Sequence, residues 1–306
     1  MSDIAARPSA SPGRMEWNRL LGHKLALASL VFLLELLILS FTAPWIADLR
    51  GVDPTATDLF RRFEPPSAAR WLGTDDLGRD LFQRLLDGGR VSLLVGLSGA
   101  LLSAIVGAAI GVVSGYIGGR LDGLLMRLTD GVIALPLLPL LIILAAIDPA
   151  KIGIPRELAQ SESFSLYRIV VIVALTGWTT AARLVRAETL SLKARDFTRA
   201  AQALGARPER IMFRHILPNA AGSLVVATTL SAGTLILLES TLSFLGLGTQ
   251  PPAASWGNML TGAPELLQQA PVLARWPGLL IFLTVIAFNF VGDGLQDALD
   301  PRSERR

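Results

Sequence analysis

The 306-residue sequence contains no cysteine and only two histidines, His23 and His215. Without cysteine the chain forms no disulfide, no thiolate nucleophile and no cysteine-ligated metal centre, and two isolated histidines make a poor metal site. Charge is scarce as well: 17% of residues are Asp, Glu, Lys or Arg, against 51% hydrophobic. A soluble globular chain carries about 25% charged residues, so this composition excludes an ordinary water-soluble domain. Also missing are a Gly-x-x-x-x-Gly-Lys-Ser/Thr phosphate loop, a nucleophile elbow and a His-Glu-x-x-His pair. No catalytic residue, metal or directly bound cofactor is therefore expected. A net charge of +3 on so apolar a chain reads as arginine-rich loops at a membrane surface, not as a nucleic-acid interface.

What the sequence has in abundance is long apolar runs separated by polar stretches marked by Pro and Gly. A helix crossing the roughly 30 Å hydrocarbon core needs about 20 apolar residues, and the runs match that length. They predict an all-α integral membrane protein with six transmembrane helices, at 25–47, 91–116, 124–147, 169–182, 220–238 and 277–291. The fourth has a short apolar core and must borrow flanking residues. The first run is followed by Pro44 and Trp45 with no small-x-small cleavage site, so it reads as a retained span rather than a signal peptide.

Orientation follows from basic residues in alternate loops. Segment 183–219 holds eight Lys or Arg against three acids, a net +5, and is expected to face the cytoplasm. Six spans then place both termini on that side. The chain divides into a cytoplasmic tail (1–24), the first helix (25–47), an extracytoplasmic loop with an interfacial helix (48–90), a five-helix core (91–293) and a cytoplasmic tail (294–306). The loop 48–90 carries seven arginines, offset by eight acids.

Within the basic loop, Phe197, Ala200, Ala201 and Leu204 recur at i, i+3, i+4 and i+7, an apolar stripe on one helical face. Gly205 suits a left-handed position ending that helix, and Pro208 suits the first turn of the next. A second amphipathic piece, 211–217, is expected to stop at Pro218 and Asn219. By pattern alone, such a segment either lies on anionic lipid or docks into a partner's groove.

The string Arg199-Ala200-Ala201-Gln202-Ala203-Leu204-Gly205, followed by Arg214-His215-Ile216-Leu217-Pro218-Asn219, resembles the EAA loop of binding-protein-dependent ABC importer permeases. Arg199 stands where that family has its leading glutamate, so no salt bridge is assigned there. A second string, Leu72-Gly73-Thr74-Asp75-Asp76-Leu77-Gly78-Arg79-Asp80, then Arg84, Gly88, Arg90, Val91 and Ser92, resembles the permeases for dipeptides, oligopeptides and nickel. The likeness continues through Arg127, Asp130 and Pro136, then Arg183, Arg186 and Glu188, and Ser243-Phe244-Leu245-Gly246-Leu247-Gly248.

The resemblance implies a type I ABC importer permease in the bacterial cytoplasmic (inner) membrane. Its implied partners are a second homologous permease, two ATPase subunits and an extracytoplasmic solute-binding protein, with ATP and Mg held by the ATPases. It makes Phe197, Arg199, Ala200, Ala201, Leu204, Gly205, Pro208, Leu217 and Pro218 the ATPase-coupling residues. The solute stays open among dipeptides, oligopeptides, glutathione, opines and nickel complexes, because the binding protein largely selects it, and no substrate-binding residue is assigned. A secondary transporter or channel would leave the amphipathic loop without a use and calls for internal inverted repeats, of which none is convincing.

Three further features stand out. Gly107, Gly111 and Gly115 recur every four residues, which lets another helix approach closely. Arg127 and Asp130, three apart, are expected to pair locally, or else to act in gating. Glu35 lies about 16 Å down the first helix, where a charge is costly, so it is expected to be protonated or paired with a polar group on a neighbouring helix, or to serve solute or proton movement.

Overall fold

A computed structural model describes residues 21–159, 161–263 and 268–299; positions 1–20 and 300–306 of the tails lie outside the described residues. The architecture rests on helices α1 (Lys24–Phe41), α2 (Ala43–Arg50), α3 (Leu81–Ile117), α4 (Gly119–Ala134), α5 (Leu137–Ala146), α6 (Glu162–Lys193), α7 (Asp196–Ala203), α8 (Pro208–Ile211), α9 (Leu217–Phe244) and α10 (Pro271–Leu299). Among the described residues, five helices are long and apolar enough to cross a membrane, or six when the bent pair α4 and α5 is counted as one broken span. Spans one, two, four, five and six are all longer, or differently broken, than the hydropathy reading gave.

Span one ends at Phe41, and Thr42 with Pro44 starts the separate helix α2. Span two begins at Leu81, not 91, because the Asp80 carboxylate accepts the Gln83 amide at 2.8 Å and caps α3 there. At 37 residues, α3 is about 55 Å long and overshoots the hydrocarbon layer. Span three was expected as one helix; it is instead bent by 89° between α4 and α5. Pro136 is the physical cause, since it disfavours helical geometry at Leu135 and leaves it extended with ψ 134°. Span four runs 32 residues, because its polar Thr176, Thr179 and Thr189 hydroxyls bond carbonyls of their own helix and need no water.

Contacts fix the topology. Ala181, Ala182 and Thr189 meet Gly107, Gly111 and Gly115 in increasing order, so α6 runs parallel to α3. Ile236 and Leu235 meet Gly96 and Gly99 in reverse order, so α9 is antiparallel to α3. Gly233 packs on Phe288 while Gly292 packs on Leu230, which makes α10 antiparallel to α9. One end of the bundle therefore carries 194–216 and the other carries 51–80, 147–159 and 245–263. The main core combines Leu93, Val173, Leu235, Ile236 and Trp256. Many large apolar side chains stay exposed, among them Leu101, Ile143 and Phe282, a surface suited to lipid or to another membrane helix.

Candidate functional site

The basic end is built on a second apolar cluster of Ala108, Val112, Val185, Ile211, Met212 and Ile216. Helix α7 is fastened to it from beneath. The buried Thr198 hydroxyl donates to the Leu192 carbonyl at 2.8 Å, and Ala201 packs against the cluster. Phe197, Ala200 and Leu204 are exposed, Leu204 at 87%. The expected four-residue stripe is thus divided: Ala201 belongs to the anchor, and the other three form the free apolar face. Arg199 is exposed beside them.

Gly205 adopts φ +77°, a region that is costly for residues with a Cβ. The turn is closed by Gly205 N–H to the Gln202 carbonyl at 2.9 Å and Ala206 N–H to the Ala201 carbonyl at 3.0 Å. Pro208 then opens α8 in its first turn. The expected stop at Pro218 does not occur. Residues Met212–Ile216 form a π-helical turn, and Leu217 and Pro218 sit in the first turn of α9, so the proline interrupts little helical bonding. The α8 helix consequently runs into span five as one continuous helix, Pro208–Phe244.

The three glycines of α3 hold α6 at backbone contact. An added Cβ would lie 2.5 Å from the Ala181 Cβ at Gly107, 2.5 Å from the Ala182 carbonyl oxygen at Gly111 and 2.8 Å from the Thr189 Cβ at Gly115. Near this end, Asp130 pairs with Arg183 of α6 at 2.6 Å rather than with Arg127, which corrects the expected local pair. Asp122 takes Arg186 in a two-pronged pair at 2.6 and 2.7 Å. Both pairs join α4 to α6; no ion pair among the described residues includes Arg127. Glu35 is exposed on α1. It too takes part in none of these ion pairs.

The opposite end is organised by the second string. Asp75 accepts the amides of Leu77 and Arg79 at 2.9 Å and the guanidinium groups of Arg79 and Arg84 at 2.7 and 3.2 Å. Asp80 caps α3 and holds Arg50 at 2.9 Å. Gly73 and Gly78 have φ +80° and +77° and press against the Glu64 and Asp58 carbonyls. Four of the seven arginines in 48–90, Arg50, Arg61, Arg79 and Arg84, are paired with acids of the same loop. In the same loop, Thr55 donates its hydroxyl and amide to Asp53 at 2.7 and 2.8 Å, which holds that carboxyl below its ordinary range.

The family model for the inner membrane component of binding-protein-dependent transport systems matches residues 107–305, and that for the N-terminal transmembrane domain of oligopeptide transport permease C matches 11–66. The chain belongs to the binding-protein-dependent transport permeases. The permease is 39% identical over 305 residues to a dipeptide transport system permease of Bacillus subtilis, covering 99% of this chain and 90% of the relative. It is 38% identical over 284 residues to an oligopeptide transport system permease of the same organism, covering 93% and 88%. A glutathione transport system permease of Pectobacterium atrosepticum is 39% identical over 292 residues, covering 95% and 92%. Among solved structures, a chain of the MetNI methionine ABC transporter in an inward-facing conformation superposes with a TM-score of 0.56 at 19% identity, covering 72% of the permease and 97% of that chain. That likeness identifies the type I importer permease fold.

One residue of the permease escaped the sequence reading. Glu239 near the end of α9 is fully buried and accepts hydrogen bonds from Ser92, Ser240 and Ser243. Its signal was present as an acid followed by serines at i+1 and i+4, but it sits just past the apolar run 220–238 and was given no role.

Proposed function

We propose that the permease is the cytoplasmic-membrane subunit of an ATP-driven importer that moves peptides or similar small solutes into the cell. The observation that carries this reading is the α7–Gly205–α8 unit. An apolar face of Phe197, Ala200 and Leu204 stands free on the anchored helix α7, and the Gly205 turn joins it to α8, which continues into span five. Helix-in-groove docking uses that combination, and the groove belongs to a separate ATPase subunit that binds ATP and Mg. The names of the relatives support peptides as the solute class.

The complete machine in this reading contains a second homologous permease, two ATPase subunits and an extracytoplasmic solute-binding protein. The free apolar faces of α9, α4 and α5 supply the contact with the second permease and with lipid. Residues 183–219 and both tails lie in the cytoplasm, and 48–90 lies outside; the pairing of its arginines with local acids reduces the charge that would hold it inside.

This orientation is tested by Ser163→Cys and Ser191→Cys, made singly at two exposed positions in a chain with no cysteine background. In intact cells a membrane-impermeant maleimide should modify the Ser163→Cys permease and spare the Ser191→Cys permease. Modification of both variants, or of Ser191→Cys alone, would contradict the six-span arrangement.

A further inference from the structure

Between α9 and α10 the chain folds back against the bundle as a link over 246–261. The link is wedged between two cavities. Thr249, Ala253 and Ala254 help wall a cavity of about 870 Å³ beside α2 and the start of α3. Gly246, Leu247 and Gln250 help wall a second of about 560 Å³ beside the start of α6. Pro252 faces both.

Two hydrogen-bond relays, converging on one carboxylate, hold the link in place. The Trp256 amide donates to Ser92 Oγ at 3.2 Å, and Ser92 Oγ donates to Glu239 Oε2 at 2.9 Å. The Thr249 amide donates to Ser243 Oγ at 3.2 Å, and Ser243 Oγ donates to Glu239 Oε1 at 2.7 Å. Each serine accepts a link amide on one lone pair and donates its single proton to Glu239. The carboxylate is therefore the common end of both relays. Trp256, fully buried, adds a bond from Nε1 to the Leu85 carbonyl at 3.0 Å. The approach is close throughout: a Cβ on Gly257 would lie 2.5 Å from Ser240, and one on Gly248 would strike the Ser243 hydroxyl.

We infer that Glu239 is a positioning residue for transport: it pins the 246–261 link across the outer end of the bundle, and release of that link joins the two cavities into an entrance. Glu239 touches no solute. It acts through Ser92 and Ser243 on backbone amides of the link, at its beginning and at its middle. That the entrance admits solute rests on the importer reading above, whereas the pinning does not.

The test is chemical access to the link in the assembled complex. Ala254, buried against the larger cavity, is changed by Ala254→Cys, and modification of the new thiol by an impermeant maleimide is timed with and without Glu239→Gln. An amide presents one acceptor oxygen and one donor NH₂, so the serine that faces the NH₂ must accept from both it and the link amide, and that relay loses its hydroxyl-to-carboxylate bond and is weakened. Modification at position 254 should speed up about five- to tenfold, while a thiol from Leu81→Cys, buried outside the link, keeps its rate. Ser243→Ala, which removes only the Thr249 relay, should also speed modification at position 254. An unchanged rate there in Glu239→Gln overturns the proposal, as does equal acceleration at position 81, which would mean general loosening. Should Glu239→Gln fail to reach the membrane, an unchanged rate in Ser243→Ala overturns it as well. If the thiol of Ser163→Cys proves inaccessible from outside, the importer orientation has failed; the same comparison in inside-out vesicles then still reads the pinning.

Discussion

A Gly205→Val permease should reach the membrane at a normal level and lose most of its solute-stimulated ATP hydrolysis and uptake. Nothing lies within 4 Å of a Cβ added at Gly205, so the substitution causes no clash and the bundle core is untouched. The penalty is in the backbone: at φ +77° an L-residue with a branched β-carbon is strained by about 1–2 kcal/mol. The turn relieves that strain by rotating α7 against α8, which tilts Phe197, Ala200 and Leu204 away from their partner. If the strain is drawn from docking, coupling falls about five- to thirtyfold. Gly205→Asn is the informative companion, because asparagine accepts a left-handed conformation more readily, and it should retain most of the activity. Full activity in Gly205→Val would show that the turn plays no part in coupling.

The largest effect on folding is expected at Gly111. A Cβ there would lie 2.5 Å from the Ala182 carbonyl oxygen and 2.9 Å from the Arg186 amide nitrogen. Both are backbone atoms of α6 and cannot swing aside as a side-chain tip would. Gly111→Val must therefore push α3 and α6 apart, opening the contacts at Gly107 and Gly115 on either side. Overpacking of this kind costs about 3 kcal/mol or more. The permease should disappear from the membrane fraction or become protease-sensitive, whereas Gly131→Val, with nothing within 4 Å of the added Cβ, should accumulate normally. Equal levels of the two variants would refute close α3–α6 packing.

These two glycines also mark what could be read from the residues alone. A left-handed turn needs glycine, and a four-residue glycine ladder needs a close neighbour, so both features followed from local chemistry. The neighbour's identity did not, since nothing near Gly111 in sequence points to Ala182. The bend at Pro136 was equally visible as a proline, yet hydropathy averages over a kink and returned one straight span. Span five was cut short at Pro218 because a proline inside a helix normally breaks it, and the π-helical turn that carries the chain through depends on Ile211, Met212 and Ile216 being buried against α3 and α6.

The two membrane acids illustrate the same limit from opposite sides. Glu35 attracts notice by lying mid-span, but it faces outward from α1. Glu239 lies one residue past the expected end of span five and is the buried centre of a serine network. Depth along one helix is legible in sequence. Which face is buried, and which distant serine meets it, is decided by packing between spans. Likewise the paired arginines of 48–90 depend on the Asp75 and Asp80 turn, so a count of charges could only note that they balance.

The central claim is that the 196–211 unit meets an ATPase from another polypeptide, and photo-crosslinking from two positions tests it directly. Leu204 and Leu49 are similarly exposed, at 87% and 89%, and lie at opposite ends of the bundle. Each is replaced by cysteine in the cysteine-free chain and loaded with a benzophenone maleimide in the assembled transporter. Irradiation should join the ATPase subunit to position 204 and not to position 49. No adduct from 204 in an intact complex, or an ATPase adduct from 49, would contradict the assignment.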